Sequence, residues 1–131
     1  MQKTLEEVRA YFERDRYAAM TGIRIDELEP GRAVCSFSIE DHHRNAEEGV
    51  MGGAIFTLVD LTFAAAAGTM YMPTVAQQVS MSFLSGSRGT RLIAEAHCRK
   101  DGKNSAVYQV DVRDDLGRDI AVATVTGFKI K

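Results

Sequence analysis

The chain has 131 residues, enough for one domain with a proper core and too few for two. Its 45% hydrophobic and 26% charged residues, with a formal net charge of −2, are ordinary for a soluble globular protein and lack the basic surplus of a nucleic-acid binder. The opening MQKTLEEVRAYF is charged and amphipathic, without the apolar core and cleavage site of a secretory leader, so a cytoplasmic location is expected.

Thr4 and Glu7 fit a capping box, and Leu5, Val8 and Phe12 then recur at helical spacing, predicting a short amphipathic helix. A further helical turn from Tyr17 to Met20 is expected to close at Gly22, which adopts the left-handed conformation easily. From Ile23 the period becomes two. Ile23 and Ile25, a turn at Pro30-Gly31, and then Ala33, Cys35, Phe37 and Ile39 predict a β-hairpin with one buried face.

The segment from Glu40 to Glu48 is polar and irregular, and it leads into GGAIFTLVDLTFAAAAG, residues 52–68. That run has no proline and is apolar on almost every face, as a helix enclosed by protein should be. A membrane span is the weaker reading, because Asp60 sits at its middle and Ala, Gly and Thr outnumber Leu and Ile.

Pro73 ends the helical stretch, and four alternating segments follow. Their expected inner faces are Val75, Gln77, Val79, Met81 and Phe83; Leu92, Ala94, Ala96 and Cys98; Ala106, Tyr108, Val110 and Val112; and Ile120, Val122, Thr124, Thr126, Phe128 and Ile130. Residues 85–90, 101–104 and 114–119 read as the hairpin turns between them. The expected fold is therefore α+β, one domain over residues 1–131, with a curved antiparallel sheet wrapped around one long helix. Cys35 and Cys98 lie on apolar strand faces without metal-type spacing and read as buried free thiols.

Asp60 is the only charged residue between Glu48 and Arg88. A carboxylate in so apolar a setting raises its pKa, finds a partner or serves a function. An ordinary acid on the one wet stripe of the helix is an equal reading of this residue alone. At the helix start, the N–H groups of Gly52 and Gly53 have no intrahelical partner and no side chain in front of them, so a carbonyl oxygen placed there would be stabilised as an oxyanion. Tight packing explains a Gly pair as well.

Gly52 and Asp60 are about 12 Å apart along the axis, so one carbonyl cannot meet both on one helix. Two antiparallel helices in a symmetric dimer would bring them together. Asp60 would then act as general base or as nucleophile, and the Asn45 amide would orient water or the acyl oxygen. His42 and His43 lack recognised ligand spacing and read as a solvated loop pair, so no metal site is expected.

Asn45, Gly52-Gly53, Phe56-Thr57-Leu58-Val59-Asp60 and the Ala-rich helix tail together resemble hotdog-fold thioesterases of the phenylacetic-acid-degradation type, and the resemblance runs through essentially the whole chain. It implies a hotdog fold, acyl-CoA substrates, a homodimer with a continuous sheet, and often a homotetramer. It also implies Asp60 as the catalytic carboxylate, the Gly52 N–H as oxyanion donor, and Asn45 as a positioning residue. Gly53 at the helix start, with Arg88 and Lys103 in turns, would contact the coenzyme A portion. That portion belongs to the substrate, so no separate cofactor is expected.

One departure from the resemblance is Met51, where many relatives carry His. It keeps two other readings open: a non-catalytic acyl-CoA-binding dimer and, less well supported, a hotdog dehydratase. By spacing, the Ser or Thr that some relatives use after the helix falls near Ala76, beside Gln77, Gln78 and Ser80.

Overall fold

Every helix in the chain begins where local chemistry allows it. In the computed structural model, which describes residues 3–131, Thr4 caps α1 (Leu5–Phe12): its hydroxyl accepts the Glu7 N–H at 3.1 Å, and the Glu7 carboxylate accepts the Thr4 N–H at 2.9 Å. Asp15 caps α2 (Arg16–Thr21) through the Ala18 N–H, and Gly22 closes it at φ 85°. The long helix α3 spans Gly52–Gly68, the expected residues.

Six strands complete the fold: β1 (Arg24–Glu29), β2 (Arg32–Ser38), β3 (Thr74–Phe83), β4 (Arg91–Asp101), β5 (Ser105–Asp114) and β6 (Asp119–Lys129). They form one antiparallel sheet in the order β1-β2-β4-β5-β6-β3. This order corrects one expectation. Residues 85–90 are not a hairpin turn, because β3 pairs with β6 at the edge while β4 pairs with β2 and β5. The linker instead crosses the end of the sheet from its edge to its middle.

Two carboxylates hold that linker. Asp114 accepts from the Ser87 hydroxyl and from the N–H groups of Arg88, Gly89, Leu116 and Arg118. Asp115 accepts from the N–H groups of Thr90 and Arg91 and from the Thr90 hydroxyl. Burial opposes the charge on Asp114, but the hydrogen bonds from Arg118, Arg88, Ser87 and Leu116 outweigh it and bring the carboxyl down to about 2.

The sheet curls around α3, whose Leu58, Val59, Leu61, Thr62, Phe63, Ala65 and Ala66 are buried. The Thr62 hydroxyl is satisfied within the helix by donating to the Leu58 carbonyl at 2.6 Å. Thr69 ties the helix end to the β1–β2 turn by donating to the Ala66 carbonyl and accepting the Gly31 N–H at 2.8 Å. Cys35 packs under α3 as a free thiol that burial pushes up to about 12, and Cys98 is a half-buried free thiol.

The inner face of β6 also differs from the expected one. The buried set is Ile120, Ala121, Ala123, Val125, Gly127 and, at the strand end, Lys129, whereas Val122, Thr124, Thr126 and Phe128 point outward or are half-covered. Close approach of the helix is the reason. A Cβ at Gly127 would lie 2.8 Å from the Phe63 ring and 2.8 Å from Thr74, so only small residues fit where Phe63 stacks edge-to-face on Tyr108. On β2 both faces are covered, since Ser36 on the outer side donates to Asp26 and accepts from Arg91.

Two outcomes follow from this packing. Gly127→Ala is expected to destabilise the protein by about 1–3 kcal/mol through overpacking against Phe63, measured by chemical denaturation. Asp114 favours the fold above the ordinary aspartate pKa near 3.9, and that contribution fades as pH falls toward the folded value of about 2. Asp114→Asn should therefore unfold at a lower temperature than wild type at pH 7, with the gap closing between about pH 4 and pH 2 in a calorimetric series.

Candidate active site

The start of α3 differs from the other two helix starts. Met51 (φ −57°, ψ 133°) offers no side-chain cap, and its carbonyl accepts the N–H groups of Ala54 and Ile55 at 3.0 and 3.3 Å. The preceding N–H groups, of Gly52 and Gly53, have no intrahelical acceptor. A Cβ on Gly53 would meet only Met51 at 4.0 Å, while one on Gly52 would lie 3.4 Å from the Phe83 ring. The helix end is therefore open except for one aromatic wall.

Asn45 shapes the loop in front of it. Its Oδ1 accepts the N–H groups of Glu47 and Gly49 at 3.0 and 3.1 Å, and its own N–H donates to the Gly49 carbonyl at 2.8 Å. Because those two donors fix the amide orientation, only the NH2 group is left for a ligand, so Asn45 can serve a substrate as a donor. Arg44 pairs with Val50, and Glu48 takes φ 63° to close the turn.

His43 departs from the solvated-loop expectation. It is 3% exposed, its Nδ1 accepts the Glu40 N–H at 2.9 Å, and its Nε2 lies 2.7 Å from the Thr21 carbonyl, to which it donates. Those partners require the neutral ring with the proton on Nε2. The ring packs on Phe37 and on His42, with centroids 4.4 and 4.0 Å away. The adjacent histidines thus stack on a 3-10 turn, residues 41–43, rather than pointing apart, and His43 braces the loop against α2.

Asn45, Gly52, Ile55, Phe83 and Ser87 line one cavity of about 380 Å³. Asp60 lines a different one, about 570 Å³, with Tyr11, Phe56, Phe63, Val75 and Gln77 among its walls. Asp60 belongs to an outward stripe of α3 that includes Gly53 and Phe56, so the helix is not enclosed on every side in one protomer. Its carboxyl is raised above the usual value by burial against these apolar neighbours, and the Asp15 carboxylate adds to the shift. Such a carboxylate is a stronger base than an exposed one.

The structure brings Asn45 to Gly52 and separates both from Asp60. Arg88 and Lys103 are both exposed, and they stand at opposite ends of β4, about 30 Å apart at roughly 3.3 Å per residue. One protomer cannot bring both to a single nucleotide. At Ala76, where spacing had suggested a Ser or Thr role, β3 bulges between Ala76 and Gln78, and Ala76, Gln77 and Gln78 all border the Asp60 cavity. Tyr11, Phe12 and Phe83 are wall residues that sequence reading missed. An amphipathic helix far from Asp60 in the chain carries no signal for that role, and Phe83 was assigned to the core.

The thioesterase superfamily profile matches residues 48–121. The chain is 29% identical to the acyl-coenzyme A thioesterase PaaI of Escherichia coli over 121 residues, 92% of this chain and 86% of that protein. The solved PaaI structure, from the phenylacetic acid degradation operon, superposes with a TM-score of 0.89 at 27% identity, covering 93% of this chain and 89% of that one. A Streptococcus mutans protein bound to acetyl-CoA gives 0.77 at 26% identity, over 81% and 86% of the two chains. With the profile covering more than half of its length and a six-stranded sheet rolled around α3, the chain belongs to the thioesterase superfamily and has the hotdog fold.

Proposed function

We propose that the protein hydrolyses the thioester of an aryl- or short- to medium-chain acyl-CoA at a site shared between two subunits. The observation that carries this reading is the division of labour on one helix. An uncapped N-terminus with a free Gly52 N–H and a carboxylate with a raised pKa lie on α3 but open into different cavities. Each half has a chemical use, and neither suffices alone.

A two-fold axis near Phe56 joins them. Phe56 is midway between Gly52 and Asp60, is 41% exposed, and would be covered by its own mate. β3 supports the same axis. It is an edge strand on which only Thr74, Val79 and Met81 are even half-buried, and Val75 and Phe83 are 45% and 56% exposed. Unpaired edges of this kind readily add a strand. Antiparallel pairing of two copies about Val79 would set Phe83, from the Gly52 cavity, opposite the partner's Val75, from the Asp60 cavity. The same axis would put the partner's Lys103 at the sheet end where Arg88 lies, so both could reach the phosphates of one coenzyme A.

In the proposed reaction the thioester oxygen accepts the Gly52 N–H and the Asn45 NH2. The partner's Asp60 either removes a proton from water attacking the carbonyl carbon, giving the free acid, or attacks that carbon itself, giving a mixed anhydride that water then cleaves to the acid and the restored carboxylate. In either route the C–S bond breaks, and the coenzyme A thiolate leaves and is protonated. Met51 is compatible with this scheme because the oxyanion donor is backbone, not side chain.

Asp60→Asn is expected to lower thiol release from a panel of acyl-CoAs by at least about a hundredfold, the usual worth of an essential base or nucleophile. Tight binding of the same compounds by a wild type that hydrolyses none of them would identify an acyl-CoA-binding dimer instead.

The shared site has its own test. Gly52→Pro removes one N–H at the first helical position, where proline is tolerated, and the extended Met51 before it already has the conformation proline prefers. Mixed dimers of Asp60→Asn with Gly52→Pro contain one intact site and should regain activity that both parents lack. No regain would remove the shared site.

A further inference from the structure

We propose that the last turn of α1 forms the far wall of the acyl pocket, and that Tyr11 sets the length of acyl chain the protein accepts. This inference rests on the thioester reading of the Asp60 cavity and assigns its specificity. That cavity, about 570 Å³, falls within the roughly 300–1,000 Å³ of small-molecule sites and is far larger than an acetyl group needs. Among the described residues, no Lys, Arg or His borders it and its one charged wall residue is Asp60, so the chain it receives is neutral and apolar.

Two rings from α1 close it in different ways. Phe12 is fixed: a Cβ on Gly68 would lie 2.8 Å from its ring, which therefore lies directly on the backbone of α3. Tyr11 stacks on Phe12 edge-to-face, with centroids 5.0 Å apart at 79°, and is 45% exposed at the rim, with the Arg14 guanidinium 5.6 Å from its ring centre. α1 itself is anchored, since Val8 is fully buried and Arg9 donates to the Ile25 carbonyl. Changing the size of the rim ring should thus alter the room beyond Asp60 while leaving the helix in place.

The test is the ratio of kcat/KM for decanoyl-CoA to that for acetyl-CoA in wild type, Tyr11→Ala and Tyr11→Trp. The smaller side chain should raise the ratio and the larger one lower it, each by at least about fivefold, a size expected for a few methylenes gaining or losing room. A merely structural role for Tyr11 would lower the Tm and leave the ratio within about twofold, and that result, or shifts of the same sign in both variants, overturns the proposal. If wild type hydrolyses neither thioester, the hydrolytic reading fails separately. The same three proteins are then compared by the Kd ratio for the two compounds in calorimetry, where opposite shifts support the Tyr11 assignment and unmoved ratios overturn it.

Discussion

The burial of α3 is the constraint on which the rest depends. A 17-residue helix carrying ten buried residues and a single charge has no stable place at a surface, and the sheet exists in this shape because it must curl around that helix. Small residues on the inner strands follow from the same need. Ala94, Ala96, Ala106, Ala121, Ala123 and Gly127 let the strands approach closely enough for Phe63 to reach Tyr108. One protomer covers only part of the helix, leaving the stripe through Gly53, Phe56 and Asp60. Incomplete enclosure, rather than any special residue, leaves Asp60 and Phe56 accessible, which is what the proposed shared site requires of them.

Electrostatics reinforce that placement. Thr4 and Asp15 each cap one N–H in the first turns of α1 and α2, those of Glu7 and Ala18, and the Asp15 carboxylate also contributes to the raised pKa of Asp60. α3 keeps its first N–H groups uncapped, and the loop before it spends Asn45 Oδ1 on its own backbone. The result is a partial positive charge at one end of the helix and a destabilised negative charge midway along it. On a single straight helix the two are held apart by geometry. In the proposed dimer an antiparallel pair would oppose them, lowering the electrostatic cost of each and making association and the proposed chemistry aspects of one arrangement.

Much of this was legible in the sequence, and the failures have physical causes. The capping box at Thr4, the stop at Gly22 and both ends of α3 are local signals, set by residues within one helical turn, and the structure has each of them. Strand existence was equally legible because alternation is local. Strand pairing was not: the order of residues 74–101 suggests a hairpin, but β6 is the neighbour that β3 finds, and nothing near residue 85 encodes that. The inner face of β6 misled for a related reason. Its outward residues are the bulkier ones, and the need for small residues inside comes from Phe63, a contact made across the core. His43 reads as polar loop until the end of α2 and Phe37 are brought against it.

The candidate site divides along the same line. Asp60, Gly52 and Asn45 stood out because each violates a local expectation: an acid in an apolar helix, a helix start without a cap, a polar residue before an apolar run. Tyr11 and Phe12 violate none, since one ring on the inner face of a short amphipathic helix and another at its margin are ordinary. Their role in the Asp60 cavity depends on Gly68, whose missing Cβ admits the Phe12 ring against α3. Groups proposed to carry the reaction are thus conspicuous by composition, whereas groups proposed to shape what is bound are ordinary residues made specific by packing. That is why the proposed reaction can be argued from a few residues, while the acyl preference can be argued only from the cavity.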